Sequence, residues 1–338
     1  MRCLIDRCLP LLMAVVLLTG CGQAGISSSS SQQEDSPSQS TPAPQDSVYI
    51  DEQESIVLAD EAIALASTPA QATGLTTTAP GTLEKRSDKA VIDYSNTKDG
   101  YIMVQYTAST TKRLKVQVKG PSTTYTYNLT AGAWTTFALS DGNGNYQVTV
   151  YENIEGTKYF SVLSQSFTVA MADEFAPFLR PNQYVDYSVA TNTVAKAAEL
   201  TKDLTLPLEK VEAVYKYVVA NITYDQQLAA TVQSGYLPAL DSVLAKKTGI
   251  CFDYAALMTG MLRSQNVPCK LVIGYAGTAY HAWISVWSAE TGWIDGVVYF
   301  DGTAWHRMDP TFASSSNQSQ TIMSYIENSS NYSAKYFY

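Results

Sequence analysis

Three hydrophobic rhythms follow one another along the 338-residue chain. The first is a single apolar run, Leu9 to Leu18, interrupted only by Pro10. It is too short to cross a bilayer as a helix, which takes about 20 residues. The second is an alternation of period two between about residues 82 and 170. Lys115-Val116-Gln117-Val118-Lys119 and Gln147-Val148-Thr149-Val150 send apolar side chains to one face and polar ones to the other, as half-buried strands do. Strands are expected at Ala90–Tyr94, Tyr101–Tyr106, Leu114–Lys119, Thr123–Leu129, Trp134–Leu139, Tyr146–Tyr151 and Ser166–Ala170. Asp141-Gly142-Asn143-Gly144-Asn145 reads as a hairpin turn, because Asn and Gly tolerate positive φ, and Lys98-Asp99-Gly100 as another turn. So many short strands with turns between them predict a β-sandwich of immunoglobulin-like type.

The third rhythm begins near residue 175 and has the 3.6-residue period of helices. Val194–Leu204 is the first expected helix. Pro207 suits the first turn of a second, which would bury Leu208, Val211, Tyr215, Val218 and Val219 and end at Asn221. A third runs from Pro238 to Lys247 and stops at Gly249. A fourth starts at Ile250 or Cys251, buries Tyr254, Leu257, Met258, Met261 and Leu262, and is ended by Pro268. Strands are expected at Lys270–Tyr275, His281–Trp287, Val297–Phe300 and Tyr332–Tyr338. Helices followed by strands make an α+β domain. The Ser-, Gln- and Pro-rich stretch from Gly22 to Gln45 cannot bury an apolar face and is expected to be a flexible tether. Ile56–Ala66 has helical spacing, but Thr76 to Gly81 returns to linker chemistry. The expected organisation is an export signal (1–20), a largely disordered tether (21–80), a β-sandwich (81–172) and an α+β domain (173–338).

Charge narrows the partners. The chain carries a net charge of −9. Removing residues 1–20, with Arg2, Arg7 and Asp6, takes away one net positive charge and leaves −10. No basic run or aromatic–basic interleaving is present, so nucleic acid is not an expected partner. Of the five cysteines, Cys3, Cys8 and Cys21 sit in the leading segment, and Cys251 and Cys269 in the body. That is no disulfide framework, although one Cys251–Cys269 bridge is an alternative in an oxidising compartment. Two His and two Cys at these spacings match no zinc pattern, so neither a metal nor a cofactor is expected.

The leading segment reads as a secretory signal, positive at its start and apolar after it. It ends in Leu18-Thr19-Gly20-Cys21, which resembles the lipobox of bacterial lipoproteins. The resemblance implies cleavage before Cys21, a diacylglyceryl group on its sulfur, and an extracytoplasmic protein held to a membrane by that lipid.

The chemistry-bearing residues lie in the α+β part. Cys251 follows Gly249-Ile250 at an expected helix start, where unpaired N–H groups and the helix dipole favour an anion. A thiol placed there is a candidate nucleophile; the plain alternative is a small buried hydrophobe. His281 opens its strand and is one of only two histidines. His306 is the other candidate base. Asp309 lies 28 residues after His281, and Pro310 ends the strand there. A carboxylate at such a strand end, beside the His281 strand, could orient the imidazole, although a turn aspartate is the ordinary reading.

The run Gly249-Ile250-Cys251-Phe252-Asp253-Tyr254-Ala255-Ala256-Leu257 resembles the nucleophile helix of the transglutaminase-like superfamily. Leu271-Val272-Ile273-Gly274-Tyr275, His281-Ala282-Trp283 and Met308-Asp309-Pro310-Thr311 resemble its following strand, His motif and Asp motif. The neighbours of His306 do not match. The resemblance covers about residues 190–312 and implies a papain-like α+β fold, with Cys on a helix and His and Asp on adjacent strands. It implies acyl transfer through a thioester by Cys251, His281 and Asp309, on extracellular protein or cell-wall peptide. Tyr224 is a candidate oxyanion or cleft residue, and Trp283 and Trp305 are candidate cleft walls, against packing roles for all three. Asp253 could cap the helix. The superfamily holds hydrolases and cross-linking enzymes; low charge and the lack of large calcium-type acidic clusters lean toward hydrolysis. A surface binding or adhesion module that keeps the fold without its chemistry is the competing reading.

Overall fold

The structure is a computed structural model that describes residues 47–49, 76–289, 292–295, 297–300, 305–315, 326 and 328–338. For 47–49, 297–300, 305–308, 312, 313 and 315 only the backbone is described. The apolar run Leu9–Leu18, Cys21, the serine-rich stretch and the Ile56–Ala66 helix lie outside the described residues. No helix among the described residues is long and apolar enough to cross a membrane.

The amino-terminal strands are β1 (Ser47–Tyr49), β2 (Glu84–Arg86), β3 (Ala90–Asp93), β4 (Tyr101–Tyr106), β5 (Leu114–Lys119), β6 (Thr124–Leu129), β7 (Trp134–Ala138), β8 (Gly144–Glu155) and β9 (Lys158–Val169). They form two antiparallel sheets, β2-β3-β4-β7 and β1-β9-β8-β5-β6. Val116, Val118, Val148 and Val150 alternate inward and are buried, as period two requires. Within the expected tether, β1 pairs with the edge of β9, and the Thr78 backbone N–H donates to the Tyr101 hydroxyl at 3.3 Å. Neither feature has a periodicity to read: one is three residues long and the other is irregular backbone.

The Asp141–Asn145 segment is not a hairpin. It joins β7, which pairs with β4, to β8, which pairs with β5 and β9. Its glycines do take positive φ, at 79° and 142°, but they turn the chain from one sheet to the other. Asp141 accepts from the backbone N–H groups of Ser122 and Thr123, at 2.6 and 2.8 Å, and so ties this turn to the one between β5 and β6. The tight hairpin is the β8–β9 turn at Gly156, where φ is 53°.

The second half runs α1 (Thr191–Leu200), α2 (Pro207–Asn221), β10 (Thr223–Tyr224), α3 (Gln226–Thr231), α4 (Leu240–Lys246), β11 (Thr248–Gly249) and α5 (Cys251–Ser264). Then follow β12 (Cys269–Ala276), β13 (Ala279–Ser288), β14 (Gly292–Asp295), β15 (Val297–Phe300), β16 (Trp305–Met308), α6 (Pro310–Ser315) and β17 (Tyr332–Phe337). The main sheet has the order β14-β13-β12-β17 and is antiparallel. The architecture is α+β after an all-β sandwich.

Helix α5 is the axis of this half. Every residue from Asp253 to Arg263 is buried, so its apolar character on all sides matches a helix enclosed by its neighbours. It stops at Ser264, ahead of Pro268, where Asn266 takes a left-handed φ of 62°. The buried Arg263 guanidinium then joins three strands of chain: its donors reach the carbonyls of Cys269, Arg180 and Tyr338.

Tyrosines cement the sandwich to this half. Tyr125 on β6 stands 5.7 Å from Tyr336 and 5.5 Å from Tyr338, and Tyr127 packs on Tyr184 at 5.5 Å. Gln183 adds two hydrogen bonds, from its backbone to the Thr136 carbonyl and from its side chain to the Asn128 carbonyl. Five of the chain's 23 tyrosines, Tyr125, Tyr127, Tyr184, Tyr336 and Tyr338, thereby pack where the sandwich meets β17 and the residue after it.

Candidate active site

The nucleophile candidate stands where backbone geometry exposes it. Cys251 is the first residue of α5 and is half-buried. Its predecessor Ile250 has an extended conformation, with ψ 176°, and offers no side-chain acceptor. Asp253 supplies the cap instead: Oδ2 accepts the Ile250 N–H at 2.8 Å, and Oδ1 accepts the Tyr236 hydroxyl at 2.8 Å. The carboxylate thus points back along the chain into a hydrogen-bonded niche. Burial pushes its pKa up, against those two donors. Gly249 is required by this cap, because a Cβ there would stand 2.6 Å from that of Asp253. The α4 stop assigned to Gly249 is in fact Lys247, which takes the left-handed φ of 56°.

His281 is buried in β13, opposite Gly274 of β12. Its Nε2 lies 2.6 Å from Oδ2 of the buried Asp309. The Cys251 thiol is a further influence on the ring, smaller than that of Asp309. Burial alone would lower the imidazole pKa. The Asp309 charge and hydrogen bond, with Cys251 after them, outweigh it and raise it to about 10. Asp309 Oδ1 accepts the Thr311 backbone N–H at 3.0 Å, and Oδ2 accepts the Tyr332 hydroxyl at 3.2 Å. The structure therefore brings Cys251, His281 and Asp309 together in that order.

The route to this meeting differs from the expectation of adjacent strands. Asp309 follows β16, which pairs with β15 and not with β13. A separate two-stranded ribbon delivers the carboxylate, because Pro310 closes β16 and opens α6. The adjacent strands were an implication of the family resemblance, and motif order along a chain does not report which strands pair.

Tyr224 is half-buried on β10, whose parallel pairing with β11 sets it opposite Gly249; burial and the Cys251 thiol both raise its pKa. Trp283 is only 4% exposed and stacks 6.1 Å from the His281 ring, so it packs behind the imidazole rather than walling an open cleft. The side chains of Trp305 and His306 lie outside the described residues. Tyr280, missed in the sequence, is 63% exposed beside the site, and its pKa is raised by burial of the hydroxyl, by neighbouring tyrosines and by Cys251. The signal for it was an aromatic next to the histidine on the opposite face of the strand. Cys251 and Cys269 are both free thiols; Cys269 is buried and bonds Thr259, and burial pushes it up to about 11. No group of three or more His, Cys, Asp or Glu able to hold a metal is found among the described residues.

Comparison with known proteins bears on the same stretch. Residues 194–310 match the transglutaminase-like superfamily. The Bacillus subtilis protein YebA, itself uncharacterized, is 28% identical over 118 residues, which are 29% of this chain and 16% of YebA. A Pseudomonas aeruginosa protein-glutamine gamma-glutamyltransferase is 29% identical over 68 residues, 16% of this chain and 10% of that one. The matches thus span well under two thirds of these curated relatives. A solved Cytophaga hutchinsonii protein is similar at 16% identity and a TM-score of 0.32, over 62% of this chain and 71% of that one. The stretch 194–310, which carries Cys251, His281 and Asp309, is the part of this chain that is similar to the transglutaminase-like superfamily.

Proposed function

We propose that this protein is an exported, lipid-anchored cysteine enzyme that cleaves amide bonds of extracellular protein or cell-wall peptide through a thioester. The observation that carries the reading is the chain of contacts from Asp309 through the His281 imidazole to a half-exposed thiol at a helix start. An imidazole held protonated near neutral pH favours the Cys251 thiolate, and the first turn of α5 adds its dipole. The thiolate sulfur attacks a carboxamide carbon. The oxyanion that forms meets first-turn N–H groups, which have no partner within the helix. His281 gives its proton to the departing amine, leaving a thioester on Cys251. It then takes a proton from the acceptor, which attacks the thioester and restores the thiol. Asp309 holds the ring orientation and the imidazolium charge throughout. Because Cys251 is half-exposed, water is the favoured acceptor, although an amine would give transamidation by the same steps.

The test pairs two assays on glutamine-containing peptides. One measures released ammonia or peptide fragments, the other incorporation of a labelled primary amine. Cys251→Ala should remove activity by a factor of about 10⁴ or more while leaving the thermal midpoint in place. Iodoacetamide should label Cys251 selectively at low pH, and His281→Ala should abolish that selectivity. Equal reactivity of Cys251 and Cys269 would instead favour a surface module that keeps the fold without the reaction. Anchoring is tested by palmitate incorporation, which Cys21→Ala should eliminate.

A further inference from the structure

Strand β17 lies beyond the stretch matched to the superfamily, yet it reaches the candidate site. Tyr332 at its start donates its hydroxyl to Oδ2 of Asp309 at 3.2 Å, the same oxygen that faces His281 Nε2 at 2.6 Å. The phenol ring lies 6.4 Å from the imidazole and meets Trp283 edge-on at 5.4 Å. The height of the phenol is fixed by the backbone beneath it. A Cβ on Gly274 would stand 2.0 Å from the Ser333 carbonyl and 2.8 Å from the Trp283 ring, so β17 approaches β12 as only glycine allows.

We propose that Tyr332 is a positioning residue for the His281–Asp309 pair. It fixes the Asp309 carboxylate plane and takes a share of the charge on the oxygen that serves the imidazole. The proposal rests on the acyl-transfer reading above for the importance of the pair. A carboxylate χ2 is a soft torsion, and the Thr311 N–H restrains only Oδ1. The Tyr332 hydroxyl restrains the other oxygen. Without it more of the charge on Oδ2 falls to the imidazolium, which would hold its proton more tightly and release it to the amine less readily. The titratable groups around the pair are Cys251 on α5, Tyr332 on β17 and Tyr215 on α2, whose pKa is raised by burial and then by Asp309.

The experiment uses Tyr332→Phe in the full chain, with Tyr275→Phe on β12 as a control. The phenyl ring keeps the Trp283 contact, and thermal midpoints check the fold. Loss of one hydrogen bond to a charged group predicts about a tenfold fall in kcat with KM held within about twofold. The second readout needs no substrate. With histidines only at 281 and 306, a histidine-labelled sample gives two imidazole titrations, and the alkaline one should move upward in Tyr332→Phe. Tyr332→Gln retains an N–H donor and should recover part of both effects; it carries the comparison if the Phe variant fails to fold. Wild-type kcat and an unmoved imidazole midpoint in Tyr332→Phe would overturn the proposal. So would equal losses in the Phe and Gln variants with no shift, which would make the residue a packing element. Inactivity of the wild-type chain would count against the enzyme reading, while the imidazole titration would still decide the role of Tyr332.

Discussion

Each half of the molecule buries a carboxylate under a tyrosine hydroxyl, and only one of the two sites is equipped for chemistry. In the sandwich, Glu152 of β8 accepts from Tyr106 and pairs with Lys89 at 2.9 Å and Lys112 at 3.4 Å. In the α+β half, Asp309 accepts from Tyr332 and pairs with His281 at 2.6 Å. The carboxylates are similarly enclosed, with side chains 5% and 3% exposed. The partners differ. A lysine ammonium offers only donors and has no second nitrogen through which to relay a proton. A buried imidazole has a second nitrogen, and the Cys251 thiol is among the groups that act on this ring. Burial and ion pairing make a structural site; a transferable proton with a nucleophile at its far end makes a reactive one.

The sharpest way to break the contrast is Asp309→Asn. The imidazole pKa of about 10 is held up first by the Asp309 charge, against burial. A raised imidazole pKa adds stability that is complete below the unfolded value, about 6.5, and is lost as pH climbs through about 10. The positive charge on the ring has the same upper limit. In Asp309→Asn the alkaline limb of the kcat/KM profile should fall toward or below the ordinary histidine value, and kcat at neutral pH should drop by roughly 10³-fold or more. A variant that kept both its rate and its alkaline limb would reduce Asp309 to the same status as Glu152.

Arg263 supplies an intermediate case, a buried charge in the α+β half with no side-chain carboxylate partner among the described residues. Burial pulls its pKa down to about 10, against the Cys269 and Tyr187 groups, and three backbone oxygens hold it. Arg263→Met would remove a donor from each of those oxygens, of which that of Tyr338 keeps the Leu271 N–H, where β12 and β17 meet the end of α5. The expected cost is about 3 kcal/mol, seen as a thermal midpoint lowered by roughly 5–10 °C. At low temperature kcat should stay within about threefold of wild type, since no donor of Arg263 reaches the thiol, imidazole or carboxylate. A large loss of kcat in a folded variant would mean that the β12–β17 seam tunes the site.

How much of this the sequence disclosed depends on the range of the interaction. The strands of period two and α2 and α5 were legible, because alternation and 3.6-residue spacing are local properties. Cys251, His281 and Asp309 were singled out as a set because four motifs stood in order, and the structure holds His281 and Asp309 in contact. Pairing was not legible. Asp141–Asn145 has hairpin chemistry but changes sheets, and Asp309 arrives on a ribbon separate from β13. Nothing in a linear chain encodes which edge a strand will find. Tyr332 was read only as part of a strand, since its contact with Asp309 crosses 23 residues. Gly249 was read as a stop from its residue type, whereas the close approach of Asp253 is what demands glycine.

The smallest effect belongs to Glu152→Gln, and it tests the other side of the contrast. Burial would raise the Glu152 pKa, but the Tyr106 hydroxyl and the ammonium groups of Lys89 and Lys112 outweigh it and hold it below the usual carboxylate range. A depressed carboxylate pKa adds stability that is present above the unfolded value, about 4.3, and is lost as pH falls through the folded value. Both lysines are about half exposed, so solvent screens the pairs and the expected contribution at pH 7 is only about 1 kcal/mol. Denaturant unfolding of Glu152→Gln should differ from wild type by that amount at pH 7 and converge with it in acid below the folded value. The kcat and the alkaline limb should be untouched, because no contact of Glu152 leaves the sandwich. If Glu152→Gln instead lowered kcat in a folded protein, the tyrosine seam from Tyr125 and Tyr127 to β17 would be carrying the state of the sandwich into the site. The division between structural and reactive carboxylate would then run through the whole molecule rather than between its halves.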